Sequence, residues 1–179
     1  MDHEDVLRFW FEEIKPEQRF RKDEKFDLLI NSRFSKLHKQ AIRCELFRWR
    51  ESGHGRLAEI IILDQFSRNM FRGDPRSFAH DSLALALAQE ALAGKADRKL
   101  NTEERSFMYM PFMHSESLAI HEIAEQLYRQ PGLESNLEWE IKHKAIIQRF
   151  GRYPHRNKIL GRTSTREEKE FLLQPGSSF

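Results

Sequence analysis

A chain of 179 residues is near the usual size of one domain and long enough to bury a core without disulfide or metal staples. With 39% hydrophobic and 32% charged residues it is too apolar for a disordered chain and too polar for a membrane protein. The net charge of +2 excludes nothing by itself, but its distribution is uneven: Ile141 to Arg166 holds eight Lys and Arg and no acid, which leaves −6 on the rest.

From the N-terminus, Val6, Leu7, Phe9, Trp10, Phe11 and Ile14 read as a short first helix ended by Pro16. Phe26, Leu29, Ile30, Phe34, Leu37 and Ala41 recur at steps of three and four, predicting a long amphipathic helix that ends near Cys44. Ser52-Gly53-His54-Gly55 reads as a flexible break. A third helix, about Arg56 to Phe71, is apolar all round over Ile60-Ile61-Ile62-Leu63, the mark of a central helix. Gly73 stops it, and an Ala/Leu-rich helix from Leu83 to Leu92 returns against it, closed by Gly94. Asn101 and Glu104 have capping-box spacing for the next helix, in which Pro111 predicts a kink or a restart near His114. Two further helices follow, one to Tyr128 and one from Leu137 to Phe150, the latter stopped by Gly151. Ser164-Thr165-Arg166-Glu167 matches a capping box for a last short helix.

No segment alternates polar and apolar residues over strand length. The expected fold is all-α: seven to eight helices in stacked antiparallel pairs, tetratricopeptide-like, forming one domain over 1–173 with a loose tail over 174–179. No 34-residue repeat consensus is present. The single cysteine, Cys44, rules out an internal disulfide and sits on an amphipathic face as a core residue would. An acidic start where a secretory signal would be basic, and apolar runs far short of a membrane span, point to the cytoplasm.

Three constellations could carry chemistry. Asp64 and Arg68 share a face of the central helix, with Gln65 and Asn69 beside them, either as an internal salt bridge or as a polar pocket wall. Around Pro111, His114 and Glu116 are placed to line a cavity, while Ser115 suits a helix cap. Arg149-Phe150-Gly151-Arg152-Tyr153-Pro154-His155-Arg156-Asn157 gathers guanidiniums, an imidazole and an amide suited to gripping phosphate or carboxylate, unless acids from elsewhere pair with them. Glu140-x-x-His143 has the spacing of a di-iron helix but no second copy, and His121-Glu122 lacks the second histidine of a zinc-protease helix. Neither a metal nor a cofactor is expected.

These same segments, with Val6-Leu7-Arg8-Phe9-Trp10-Phe11 and Leu160-Gly161-Arg162, resemble a mainly bacterial family known as domain of unknown function 924. The resemblance covers nearly the whole chain and implies an all-helical, tetratricopeptide-like architecture; it brings no established activity. The residues point first to a binding module in which Asp64, Arg68, Asn69, His114, Glu116, Arg152, His155, Arg156 and Asn157 receive a small anionic ligand or an acidic peptide. The alternatives are a hydrolase or lyase using His114 or His155 for proton transfer, and a purely structural or protein-interaction scaffold. Nucleic acid is a weaker partner, since no reader motif accompanies the basic segment.

Overall fold

The computed structural model describes residues 1–178; Phe179, the last residue of the expected tail, lies outside them. The fold is all-α, with nine helices among the described residues and no strand, as the periodicity predicts. In chain order they are α1 (His3–Arg8, running on as a wider π turn, Phe9–Glu13), α2 (Pro16–Phe20), α3 (Glu24–Ala41), α4 (Gly53–Ile61, then a π turn Ile62–Phe66, then Ser67–Met70), α5 (Asp81–Ala93), α6 (Thr102–Met113), α7 (Leu118–Tyr128), α8 (Glu134–Phe150) and α9 (Arg166–Leu172). Single 3-10 turns, such as Pro154–Arg156, fill several connections. No helix among the described residues is long and apolar enough to cross a membrane.

α4 is the hub. It packs against α1, α3, α5 and α6, and Leu57 to Leu63 and Phe66 have no exposed surface. An all-round apolar helix can be stable only where neighbours cover every side, and the other helices supply that cover. Aromatic rings fill the seam: Phe34 lies 4.9 Å from Phe9 and 4.8 Å from Phe66, and Trp10 meets Phe107 edge-on at 5.7 Å. α5, α6, α7 and α8 each pack on the helix before, through connections short enough to force antiparallel neighbours.

The ends of the elements correct several expectations. The first helix begins at His3, because Asp2 caps it by accepting from Glu4 N and Asp5 N, and Pro16 starts α2 as well as ending α1. α3 stops at Ala41, so Cys44 falls in the following turn at a φ of 57°, exposed and outside the core. Pro111 is accommodated in the last turn of α6, which closes at His114 without restarting. At α9 the box is one residue later than expected: Thr165 Oγ1 accepts from Glu168 N at 3.1 Å and Glu168 Oε2 from Thr165 N at 2.7 Å. Glu168 displaces Glu167 because it also takes both arms of the Arg152 guanidinium.

The expected flexible break at Gly53–Gly55 is the rigid first turn of α4. Ser52 Oγ accepts from Gly55 N at 2.9 Å, and a Cβ on Gly55 would stand 2.0 Å from the Trp49 carbonyl oxygen. Glycine is required here for close approach rather than for mobility. Gly55→Ala should therefore destabilise the protein by about 1–3 kcal/mol through overpacking at the hub helix. Thermal melts of the two proteins check this; equal midpoints would mean that the 47–51 turn gives way freely.

Candidate functional site

α4, α6, α8 and the turn after Tyr153 line a hollow of ≈ 720 Å³ that opens to solvent beside the exposed Phe20 and Trp139. Among the nine residues singled out by the sequence, Arg68, Asn69, His114, His155 and Arg156 line it. Apolar side chains, including Phe78, Met110, Met113 and Trp139, make up much of the remaining wall. A smaller hollow of ≈ 280 Å³ borders Asp81, Ser115 and Glu116, and Phe78, His114 and Arg156 line both. These three side chains thus form a partition between the two spaces.

Asp64 stands behind the partition, 1% exposed. It lies in the π turn of α4, where the helix widens and side chains leave their regular track, a frequent feature of functional sites. Its Oδ1 is 2.7 Å from His114 Nδ1 and 3.0 Å from Arg68 Nη1, and Oδ2 accepts from Gln65 Nε2 at 2.6 Å. Burial alone would raise the Asp64 carboxyl, but Arg68 and then His114 hold it well below the usual carboxylate range. Arg68 also forks onto Asp81 with two 3.0 Å bonds. Arg156 shares Oδ2 of that carboxylate, donating to it at 3.2 Å, and donates to the His114 carbonyl at 2.9 Å. Both guanidiniums lie over the Phe78 ring, Arg156 at 4.6 Å and Arg68 at 5.7 Å. Among the described residues Arg156 Nε has no hydrogen-bond partner, so this buried cation keeps a donor unused.

The imidazoles of the hollow are held neutral. Burial pushes His155 down to about 4, reinforced by Arg156, and His143 down to about 3, against the Trp139 carbonyl that accepts from its Nδ1 at 2.8 Å. His114 is lowered by burial and then by Arg68, opposed by Asp64.

Glu116, Arg152 and Asn157 do not line the large hollow. Glu116 accepts from both arms of Arg162, at 2.6 and 2.9 Å, and from Tyr153 N at 2.7 Å. Arg152 forks onto Glu168 and donates to the Thr163 carbonyl, and it holds the Glu168 carboxyl down to about 2. Asn157 donates to Ser164 and Glu168 and accepts from Arg162. Together these three pin the 153–162 segment to α9 and to the turn before α7. Six of the eight basic residues from Ile141 to Arg166 have an acidic partner drawn from elsewhere in the chain. The local charge of +8 is thereby largely neutralised by tertiary contacts.

Sequence reasoning gave no site role to Trp139, His143 or Phe78. The one available signal was the paired polar positions Glu140 and His143 on α8, both buried. Glu140 instead holds His121 at 2.7 Å, wholly shielded from solvent, and His121 Nε2 donates to the Ser115 carbonyl at 2.8 Å. Where a loose tail is expected, Ser177 is buried with its hydroxyl donating to the Leu172 carbonyl, and Gly176 and Ser178 border the large hollow.

The class these features define is an all-helical protein with a mixed polar and aromatic hollow beside its hub helix. A family model described as a bacterial protein of unknown function (DUF924) matches residues 6–176, and the chain belongs to that family. A solved protein of unknown function from Agrobacterium tumefaciens is 39% identical and superposes with a TM-score of 0.90, over 95% of this chain and 96% of that one. No relative is found among the curated proteins.

Proposed function

We propose that the protein binds a small organic acid in the large hollow, its anionic group near Arg68 and Arg156 and its body against Phe78, Met113 and Trp139. The observation that supports this most is the convergence of Arg68, His114, His155 and Arg156 on one space whose volume, ≈ 720 Å³, falls within the range of small-molecule sites. A hollow of this size, bordered by the chain's own residues 176 and 178, suits a small molecule better than an acidic peptide. The basic segment is too well matched by acids to favour nucleic acid. The lone cysteine favours a reducing, cytoplasmic setting.

The ion pairs add a condition. Arg68 and Arg156 are already balanced by Asp64 and Asp81, so an anion would enter as uncompensated charge unless a proton comes with it. His155 is the group to take that proton. It borders the hollow beside Tyr153, with Arg156, Glu116, Arg68 and His114 as its charged or titratable neighbours. Affinity should thus rise as pH falls from 8 towards 6, by up to about tenfold per pH unit for one proton taken up.

Isothermal titration against small carboxylates and phosphate monoesters tests the reading. Binding is expected for the wild type, weakened at least tenfold in Arg156→Gln and unchanged in Lys158→Gln, an exposed basic residue of the same segment that lines neither hollow. No binding to any of these acids, or equal loss in both variants, would overturn it.

A further inference from the structure

We propose that His114 is a general base in the hollow, drawing a proton from water through Nε2 to hydrolyse a small anionic ester while Asp64 holds its ring through Nδ1. This rests on the acid-binding reading above and adds a reaction to it.

The argument begins with Asp64. A carboxylate kept ionised by Arg68 can only accept, so the 2.7 Å contact requires Nδ1 of His114 to donate. In a neutral ring the other nitrogen, Nε2, then carries the lone pair. Among the described residues no hydrogen bond reaches Nε2, and the His114 side chain retains 17% exposure where it borders both hollows. A buried acid that fixes the tautomer, with a basic nitrogen turned to an accessible space, is the arrangement that lets an imidazole accept a proton during reaction.

The nature of the attacking group follows from the wall. Among the described residues no serine or cysteine is hydrogen-bonded to His114. Ser77, which borders the hollow, commits its hydroxyl to the Asp74 carbonyl at 2.7 Å. Water is therefore the nucleophile. As its oxygen bonds to the ester carbonyl carbon, one water proton passes to His114 Nε2 and the carbonyl π pair moves onto oxygen, facing the guanidiniums of Arg68 and Arg156. Collapse of this intermediate breaks the bond to the leaving oxygen, which takes the proton back from the imidazolium. The sum is ester plus water giving acid plus alcohol, with one histidine serving in both steps. Asp64 is a positioning residue: it touches no reacting atom and acts through the His114 ring and, by its ion pair, through Arg68.

The test uses the full chain with mono-4-nitrophenyl succinate, an anionic ester, and neutral 4-nitrophenyl acetate, following release of nitrophenolate. Hydrolysis of the succinate ester above the uncatalysed rate is expected, faster than of the acetate. It should fall about 10²–10⁴-fold in His114→Gln and be unchanged in His54→Gln, a variant of an exposed histidine remote from the hollow. The wild-type kcat should rise with pH along a limb lying below the ordinary imidazole value. In Asp64→Asn the plateau of kcat should drop and the limb should move to lower pH because the carboxylate no longer favours the imidazolium, while KM should not rise, because Arg68 loses one of its two counter-charges. Should Asp64→Asn fail to fold, His114→Gln and the wild-type limb decide alone. Rates unaffected by His114→Gln overturn the inference. Calorimetry with succinate separates the two readings: succinate bound but its ester not hydrolysed removes the reaction only, whereas no succinate binding and no hydrolysis removes both.

Discussion

Lowering the pH from 7 to 4 should strip several kcal/mol of folding stability from this protein, chiefly through its buried imidazoles. His38 and His143 are both buried, and burial holds them down to about 4 and about 3 respectively. His38 Nε2 meets the Ser67 hydroxyl at 2.8 Å and its ring packs against those of Phe71 and His80, and among the described residues no acid is paired with it. His143 is set against the Trp139 carbonyl and the Tyr153 ring, with the imidazoles of His114, His121 and His155 as its titratable neighbours. An unfolded histidine takes up its proton near 6.5, so between that value and about 4 the unfolded chain binds more protons than the native one. Stability therefore rises with pH in this window and is lost as pH falls through it, by on the order of 3 kcal/mol for His38 alone. Below it the loss continues from Glu168, whose folded carboxyl is held down to about 2 by Arg152; its contribution disappears between about 4.5 and 2. Urea melts across the series should show the midpoint falling steadily below pH 6.5, and His38→Gln should flatten the slope by about one proton. A midpoint flat from 7 to 5 would show that these imidazoles ionise freely in the fold.

Glu140→Ala should cost about 3–5 kcal/mol, because it breaks a pair that solvent does not reach while leaving the partner in place. His121 is hydrogen-bonded to Glu140 at 2.7 Å, the Ser115 carbonyl at 2.8 Å and the Tyr153 hydroxyl at 3.1 Å. Without the carboxylate, Nδ1 is left buried with its partner removed, and α7 loses this polar tie to α8. At this chain length each kcal/mol moves the melting temperature by about 2–4 °C, so a drop of roughly 10 °C is expected. Glu140→Gln, which keeps an acceptor at nearly the same volume, should lose less. The damage should also reach the hollow, because Tyr153 accepts from Arg156 N and so sets the start of the turn that carries His155 and Arg156. An alanine variant that melts with the wild type would show that the pair is dispensable to the packing of α7 on α8.

Both results turn on polar groups whose surroundings come from distant parts of the chain. The helices themselves were legible because helix formation depends on neighbours three and four residues away, and apolar residues at that spacing mark the face to be buried. Ile60 to Leu63 announced the hub, and Asn101 with Glu104 announced a start that the structure reproduces bond for bond. Local pattern also misled where two readings share it. Ser164/Glu167 and Thr165/Glu168 are equal as capping boxes until Arg152 selects Glu168. Gly53 and Gly55 look like freedom until the Ala96 and Trp49 carbonyls show them to be clearance.

Sequence by itself determined an all-helical chain, its hub and the segments in which awkward polar residues gather, since propensity, capping and amphipathic period act within a few residues. Only the tertiary structure decided which of those polar residues face a common hollow. Arg68, His114, His155 and Arg156 do, whereas Glu116, Arg152 and Asn157 are spent holding the turn in place, and Trp139 and His143 enter from a helix that gave little warning. The reason is that a buried charge is settled by whichever opposite charge the fold carries to it. Asp81 reaches Arg156 across 75 residues and Glu116 reaches Arg162 across 46, and no pattern of near neighbours encodes pairings at that distance.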